Sequence, residues 1–216
     1  MRNVPISSHT TAMPVRNVVF DAGGVLLEWN PPRVIAEIYP DPAVQAQIRE
    51  FIFDHPDWHE FDRGTLTAET APHHFARLSG RTPEEVARLI QLTAESLRPI
   101  EGTIRLLEDL AKAQINLALL SNMPVSTFEL LSSRYTFFAH FNHLVISGAI
   151  LMLKPEPAIY QHLVEKTGIV PSESVFIDDL ARNVVAAREC GLHAIQFTNS
   201  DACRRELRAY LPHAAL

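Results

Sequence analysis

Polar side chains stand directly after several apolar runs in this 216-residue sequence. Asp21 follows one run, Ser121 follows a second, and the adjacent pair Asp178-Asp179 follows a third. In an open parallel sheet, ligands bind beyond the carboxyl ends of the strands. If the apolar runs are neighbouring strands, these carboxylates and this hydroxyl meet at one edge of the sheet, where they can act on a shared ligand.

The pair Asp178-Asp179 is the most specific of these features. Two adjacent carboxylates at the end of a buried strand repel one another and lose hydration, so they need a cation or another strong partner. Magnesium takes oxygen ligands and usually keeps several waters, which suits carboxylates that complete a shell around a substrate phosphate. The competing interpretation is that one Asp caps the next helix and the other is a spare surface residue.

The remaining candidates are weaker when each is taken alone. Two glycines follow Asp21 and let the backbone approach a ligand closely. Ser121 and Asn122 could donate hydrogen bonds to phosphoryl oxygens, although such residues after a strand often cap a helix instead. Lys154 could neutralise a transferring phosphoryl group if it lies beside the carboxylates, whereas a lone lysine is usually on the solvated surface.

Short strands that alternate with helices are needed to position these residues. The β-branched and aliphatic runs at residues 17–20, 115–120, 174–177 and 194–197 predict buried strands. Helical spacing predicts helices over 103–113, from 157 to a stop at Gly168, and over 182–190. The alternation predicts an α/β fold, a Rossmann-like parallel sheet sandwiched by helices.

Residues 31–98 differ, because they have helical periodicity but no convincing strand. We predict that they form an α-helical cap inserted into a catalytic core of residues 16–30 and 99–216, with residues 1–15 a flexible stretch outside the core. Prolines at 31, 32 and 99 mark both joints and discourage a continuous helix there. Such joints suit a cap that opens and closes.

The composition excludes several functional classes. A formal net charge of −6 gives no broad attraction to nucleic acid or to an anionic membrane, so a small, locally recognised ligand is expected. No apolar run reaches the roughly 18 residues of a membrane span, and no secretory signal is visible, which predicts a soluble cytoplasmic protein. Cys190 and Cys203 are expected to be free thiols in a reducing compartment.

In their order and character, Asp21, Ser121, Lys154 and Asp178-Asp179 resemble the four motifs of the haloacid dehalogenase superfamily. The resemblance covers nearly the whole chain. The segments FDAGGV, from residue 20, and KPEPAIY, from residue 154, look closest to the capped bacterial phosphatases of the glucose-1-phosphatase type.

The resemblance implies a magnesium-dependent phosphatase that hydrolyses a small phosphorylated metabolite such as a sugar phosphate. Asp21 would be the nucleophile that forms an aspartyl phosphate, and Asn183 would support the acidic pair. Ser121, Asn122 and Lys154 would hold the phosphoryl group, with Ser121 and Lys154 also catalytic. The metal ligands would be Asp21, the carbonyl of Gly23, Asp178 and Asp179.

One position departs from the family pattern. Most phosphatases of the superfamily carry an acid/base Asp two residues after the nucleophile, where this chain has Gly23. Loss of acid/base help can cost roughly 10²–10⁴-fold in rate. Either the leaving group needs little protonation, as with a sugar 1-phosphate, or a cap residue substitutes. The polar residues considered for that role are His55, Asp57, His59 and Glu60.

Two other functions compete with the phosphatase. A 2-haloacid dehalogenase of the same superfamily would use the same aspartate on carbon without metal, but such enzymes generally lack the adjacent acidic pair. A catalytically impaired binding module would keep the fold after losing its acid/base residue. Retention of every other site residue argues against that module.

Overall fold

A computed structural model describes residues 15–214 of the chain, so the predicted flexible stretch 1–15 lies, except for its last residue, outside the described residues. Five strands form one parallel sheet in the order β3-β2-β1-β4-β5. The strands are β1 (Asn17–Phe20), β2 (Asn116–Ser121), β3 (His143–Ile146), β4 (Ser174–Asp178) and β5 (His193–Gln196). This sheet confirms the predicted fold class.

Strand β3 is absent from the sequence-based assignment. It has four residues, lies at an edge of the sheet, and its first two side chains are only partly buried. Because β3 is an edge strand whose first half is only partly buried, its residues carry a weaker signal of burial than those of the central strands β1, β2 and β4. The other four predicted strands match the structure within one or two residues.

Between β1 and β2, the described residues 31–96 form helices and no strand. They are α1 (Pro31–Ile38), α2 (Pro42–Ile48), α3 (Trp58–Arg63), α4 (Thr70–Ser79) and α5 (Pro83–Ser96), with a π-helical turn at Arg49–Phe53 after α2. Helix α5 starts with a capping box between Thr82 and Glu85, and α3 ends at Gly64, whose φ of 89° favours glycine. These helices bury their own apolar cluster, built around Ile52, Phe61 and Phe75.

The sheet is covered on both faces. The covering helices are α6 (Glu101–Lys112), α7 (Val125–Arg134), α8 (Ser147–Ile150), α9 (Pro157–Thr167), α10 (Ala181–Glu189) and α11 (Ser200–Tyr210). Successive strand residues point to opposite faces, so Val18 and Phe20 join one apolar cluster while Val19 joins the other. No helix within residues 15–214 is long and apolar enough to cross a membrane.

The two connections to the helical insertion run side by side. Leu27 pairs with Pro99 in an isolated antiparallel bridge. The amide of Glu28 donates to the carbonyl of Arg98 at 2.8 Å, and the amide of Ile100 donates to the carbonyl of Leu26 at 2.8 Å. Both connections therefore leave the core at one point. These contacts support the predicted division at residues 30/31 and 98/99, which stays a prediction.

Candidate active site

The site lies at the carboxyl ends of the central strands. Phe20 is in register with Ile177 of β4, so Asp21 and Asp178 are neighbours across the sheet. The strand order reverses beside β1, and this is where a crevice opens in sheets of this kind. Register and topology together bring residues that are far apart in the sequence to one point.

Lys154 joins the two carboxylates. Its ammonium lies 2.8 Å from Oδ1 of Asp21 and 2.7 Å from Oδ2 of Asp178, and all three side chains are almost completely buried. Although burial alone lowers the pKa of Lys154, these two carboxylates raise it above its usual value. The lysine is therefore charged in the site, and the alternative of a solvated surface lysine is wrong.

Asp178 is held by several donors. Besides Lys154, Nδ2 of Asn183 lies 3.0 Å from both of its carboxylate oxygens, and the amide of Leu180 donates to Oδ1 at 2.9 Å. The hydroxyl of Tyr160 in turn donates to the backbone carbonyl of Asn183 at 3.0 Å. A carboxylate with this many donors is fixed in orientation.

Asp179 reaches the site because Gly24 makes room. A Cβ atom on Gly24 would lie 2.5 Å from Oδ2 of Asp179, and the φ of Gly24 is +74°. Ligand atoms of Asp21, Asp178 and Asp179 all lie within 4.8 Å of one another. The second glycine after Asp21 therefore has a specific task, which is to let a third carboxylate approach the other two.

The acidic cluster carries more negative charge than the lysine can balance. Burial raises the pKa of Asp21 to about 7, against the effect of Lys154, and the neighbouring carboxylates Asp178 and Asp179 raise it further. Burial and the charge of Asp178 likewise raise the pKa of Asp179 above its usual value. Three carboxylates and one ammonium leave an excess of negative charge in the site, which a bound divalent cation would neutralise.

Ser121 and Asn122 occupy different environments. Oγ of Ser121 is buried and has no hydrogen-bond partner among the described residues, which leaves it available to a ligand. The side chain of Asn122 makes two hydrogen bonds to the backbone of Lys154, with Oδ1 accepting from N at 2.8 Å and Nδ2 donating to O at 2.9 Å. Asn122 thus positions the lysine.

A cavity of about 270 Å³ opens above these residues and is closed on its other side by the helical insertion. Asp21, Gly23, Asn122, Lys154 and Asp179 line its floor. Large apolar side chains line its walls, namely Trp29, Phe53, Trp58, Phe61, Ile90, Leu97, Met123 and Leu180. The sequence analysis did not identify this apolar wall, because its members come from separate helices and loops.

The polar residues proposed for the cap divide into two groups. His59 lines the cavity, and burial followed by the charge of Arg182 lowers its pKa. Oδ2 of Asp57 instead accepts a hydrogen bond from Nε2 of His74 at 2.7 Å, and His55 lies beside it. Glu60 accepts a hydrogen bond from Thr65 at 2.6 Å. None of these last three lines the cavity.

Asp62 was missed by the sequence analysis and lies in the cavity wall. Burial raises the pKa of Asp62 well above its usual range, and the Asp21 carboxylate raises it further while Lys154 opposes both. No local pattern distinguishes Asp62 from the other acidic residues of the insertion. Its placement follows from how α3 docks on the core, which depends on contacts distant in sequence.

Comparisons with known proteins agree with this geometry. The chain is 28% identical over 190 residues to a sesquiterpene phosphatase, astK, of Aspergillus oryzae, covering 88% of this chain and 93% of that protein. It is 27% identical over 217 residues to a D-ribitol-5-phosphate phosphatase of Bacteroides thetaiotaomicron, covering 91% and 98%. It also matches parts of longer proteins, spanning 36% and 20% of two of them.

A solved structure has the same fold. It is a haloacid dehalogenase family enzyme of Bacteroides thetaiotaomicron in complex with magnesium and inorganic phosphate, with a TM-score of 0.67, 21% identity, and coverage of 86% of this chain and 95% of that one. The family model described as haloacid dehalogenase-like hydrolase matches residues 15–191. The chain therefore belongs to the haloacid dehalogenase-like hydrolases, as the four motifs predicted, and it is an enzyme.

Proposed function

We propose that this hydrolase is a magnesium-dependent phosphatase in which Asp21 attacks the phosphorus of a small phosphorylated metabolite and forms an aspartyl phosphate. The observation that carries the proposal is the buried Lys154 ammonium, which bridges Asp21 at 2.8 Å and Asp178 at 2.7 Å beside a third carboxylate. Phosphoryl transfer needs chiefly an aligned nucleophile and positive charge around the phosphoryl oxygens.

The acidic cluster fits magnesium. Asp21, Asp178 and Asp179 offer carboxylate oxygens within 4.8 Å of one another, and hard oxygen ligands are what this ion prefers. Together with the predicted Gly23 carbonyl, they would hold the ion. When bound, magnesium would neutralise charge on the phosphoryl oxygens and on the nucleophile. The excess of carboxylates over ammonium groups in this buried site supports the same assignment.

The protein groups would then bind and orient the substrate. Oδ1 of Asp21 accepts hydrogen bonds from the amide of Ala22 at 2.7 Å and from Lys154, which fixes the plane of the carboxylate before attack. The unpartnered Ser121 hydroxyl would donate to a phosphoryl oxygen. Lys154 would stabilise the charge that develops on the phosphoryl group.

The competing functions receive less support. A metal-independent dehalogenase has no use for the two additional carboxylates beside Asp21, each of which costs free energy to bury. An impaired binding module would not need the charged lysine and the donors that hold Asp178 in place. We therefore keep both as alternatives that an activity assay would distinguish.

The cavity wall favours an apolar or aromatic organic group on the substrate. Trp29, Phe53 and Trp58 form a cluster with ring centroids 4.7 to 6.4 Å apart, and Trp29 remains 44% exposed. The fungal relative named for a sesquiterpene substrate agrees with this preference, whereas the glucose-1-phosphatase resemblance favours a sugar.

A substrate panel tests both parts of the proposal. Purified enzyme should hydrolyse phosphate monoesters only with magnesium, and prenyl or aryl esters should have higher kcat/KM values than polyol phosphates. Trp29→Ala should reduce that preference by roughly tenfold, the scale expected for lost apolar contact in a pocket. Leu78→Ala, an exposed position outside the cavity, is the matched control. Magnesium-independent turnover would refute the metal requirement, and no turnover of any phosphate monoester would refute the phosphatase assignment.

A further inference from the structure

Among the described residues that line the cavity from the core side, none offers a carboxyl or imidazole outside the acidic cluster that could protonate the leaving group. Gly23 has no side chain, and Lys154 is engaged by two carboxylates. Asp178 is occupied by Lys154 and Asn183, while Asp179 belongs to the acidic cluster. A donor for the ester oxygen must therefore come from the opposite wall of the cavity, which the helical insertion provides.

Two titratable side chains of the insertion line that wall, and different charges act on each of them. His59 is influenced by Arg182, Glu60 and Arg63. Asp62 is influenced by the catalytic pair, Asp21 and Lys154. The contacts of Asp62 also place it beside the site: the Ser147 hydroxyl that donates to the carbonyl of Asp62 accepts from the amide of Met123 at 2.9 Å, two residues after Ser121.

Three consecutive residues fix the end of α3 against the core. The hydroxyl of Ser147 donates to the backbone carbonyl of Asp62 at 2.5 Å. Arg63 makes a two-pronged ion pair with Glu156, with nitrogen–oxygen distances of 2.6 and 3.0 Å.

The third contact is between backbones. Gly64 packs so closely on Gly148 that a Cβ at position 64 would collide with the carbonyl oxygen of Gly148. Ser147 and Gly148 follow strand β3, and Glu156 stands two residues after Lys154. These contacts therefore fix the position of the Asp62 backbone relative to the loops that carry the site residues.

We propose that Asp62 is the acid/base catalyst of this enzyme. The insertion would supply it in place of the aspartate that most phosphatases of the superfamily have where this chain has Gly23. This inference rests on the proposed phosphatase function. It assigns Asp62 to both half-reactions, first as the proton donor to the leaving group and then as the proton acceptor from water.

Asp62 gives up one proton in the first step and regains one in the second. An Asp21 oxygen bonds to phosphorus, the bond from phosphorus to the ester oxygen breaks, and the Asp62 carboxyl gives its proton to that oxygen, which leaves as an alcohol. Water then attacks the phosphorus of the aspartyl phosphate, the bond from phosphorus to Asp21 breaks, and the Asp62 carboxylate takes the water proton. The products are an alcohol and inorganic phosphate, and both aspartates are regenerated.

Leaving-group dependence tests the assignment. We would measure Asp62→Asn with magnesium on 4-nitrophenyl phosphate, whose leaving group needs no proton, and on a simple alkyl phosphate. The alkyl ester should lose roughly 10²–10⁴-fold in kcat, the range of acid/base contributions, while the first turnover of the nitrophenyl ester changes little. Because dephosphorylation then lacks its base, nitrophenol should be released in a burst of about one equivalent per active site.

The controls separate chemistry from folding. Asp54→Asn makes the same change within the insertion, outside the cavity, and should retain the wild-type rates on both esters. Asp62→Glu should recover part of the alkyl phosphatase activity. An equal loss on both esters without a burst would overturn the assignment, as would unchanged turnover in Asp62→Asn. Failure of wild-type enzyme on every ester would instead refute the phosphatase function itself.

Discussion

The two walls of the active-site cavity are built in different ways. On the core side, Asp21, Asp178 and Lys154 hold one another through buried ion pairs, and strand register sets their spacing. On the side of the insertion, apolar side chains and Asp62 depend on a few contacts around α3. The core wall takes its geometry from strand register and from ion pairs among its own residues, whereas the other wall has its geometry only while the insertion is docked.

This difference suggests that the two walls have separate functions. Chemistry common to the family resides where backbone geometry fixes it, at the ends of parallel strands. We propose that substrate choice resides on the apolar wall, to which the insertion contributes Phe53, Trp58 and Phe61. We propose that closure of the insertion excludes water and completes the site, as the proline-bearing joints suggest.

The largest expected effect comes from the core wall. Asp21→Asn should reduce turnover by about 10⁴-fold or more, because the amide keeps the shape but cannot form the phosphoenzyme. Turnover and phosphoenzyme trapping would measure this, with circular dichroism to verify the fold. Asp54→Asn, an exposed acidic residue of the insertion, is the control and should remain active. Activity within tenfold of wild type in Asp21→Asn would reassign the nucleophile.

A second effect tests how the third carboxylate is admitted. Gly24→Ala should weaken magnesium affinity by roughly 10–100-fold, because its Cβ would displace Asp179. Gly80→Ala is a matched control, since Gly80 also has a positive φ, of +67°, but faces open space. Magnesium titration of activity and calorimetry would report the affinity. If both variants lose the same affinity, backbone strain alone explains the result and the steric role of Gly24 is refuted.

Sequence patterns predicted the core wall well because its signals are local. A buried strand followed by a polar residue can be recognised without knowing the partner strands, and parallel pairing then brings Asp21, Ser121 and Asp178 to one edge. The helix stop at Gly168 and the lysine before α9 are similarly local. The exception is β3, an edge strand whose first two side chains are only partly buried.

The insertion could be predicted only as a set of helices. Periodicity indicates that α3 is helical, but it does not determine which of its residues face the core, since that depends on contacts from Arg63 to Glu156 and from Gly64 to Gly148. The sequence analysis accordingly favoured the polar cluster around His59 and overlooked Asp62. A side chain placed by docking between distant segments leaves no signature in its own neighbourhood.

The smallest expected effect concerns that docking. The Arg63–Glu156 pair is partly exposed, so breaking it should cost only about 0–1 kcal/mol of unfolding free energy. Breaking the pair should lower turnover more than it lowers stability, because Arg63 directly follows Asp62 in the chain. A displacement of about 1 Å at a catalytic group can cost as much as 10²-fold in rate. We expect Arg63→Met to lower kcat on an alkyl phosphate by roughly tenfold, with a nearly unchanged melting temperature.

A double-mutant cycle with Glu156→Gln sharpens this prediction. Glu156 also accepts a hydrogen bond from the amide of Leu153 at 3.3 Å, so the single variant Glu156→Gln alters two contacts at once. If the ion pair acts as a unit, the double variant should be no slower than the worse single variant. Arg49→Met, which breaks the 2.8 Å pair with Asp54 within the insertion, should leave kcat unchanged. Additive losses in the cycle, or an equal loss in Arg49→Met, would mean that the contact between insertion and core does not align Asp62, since only a pair that joins the insertion to the core can hold the two walls in register.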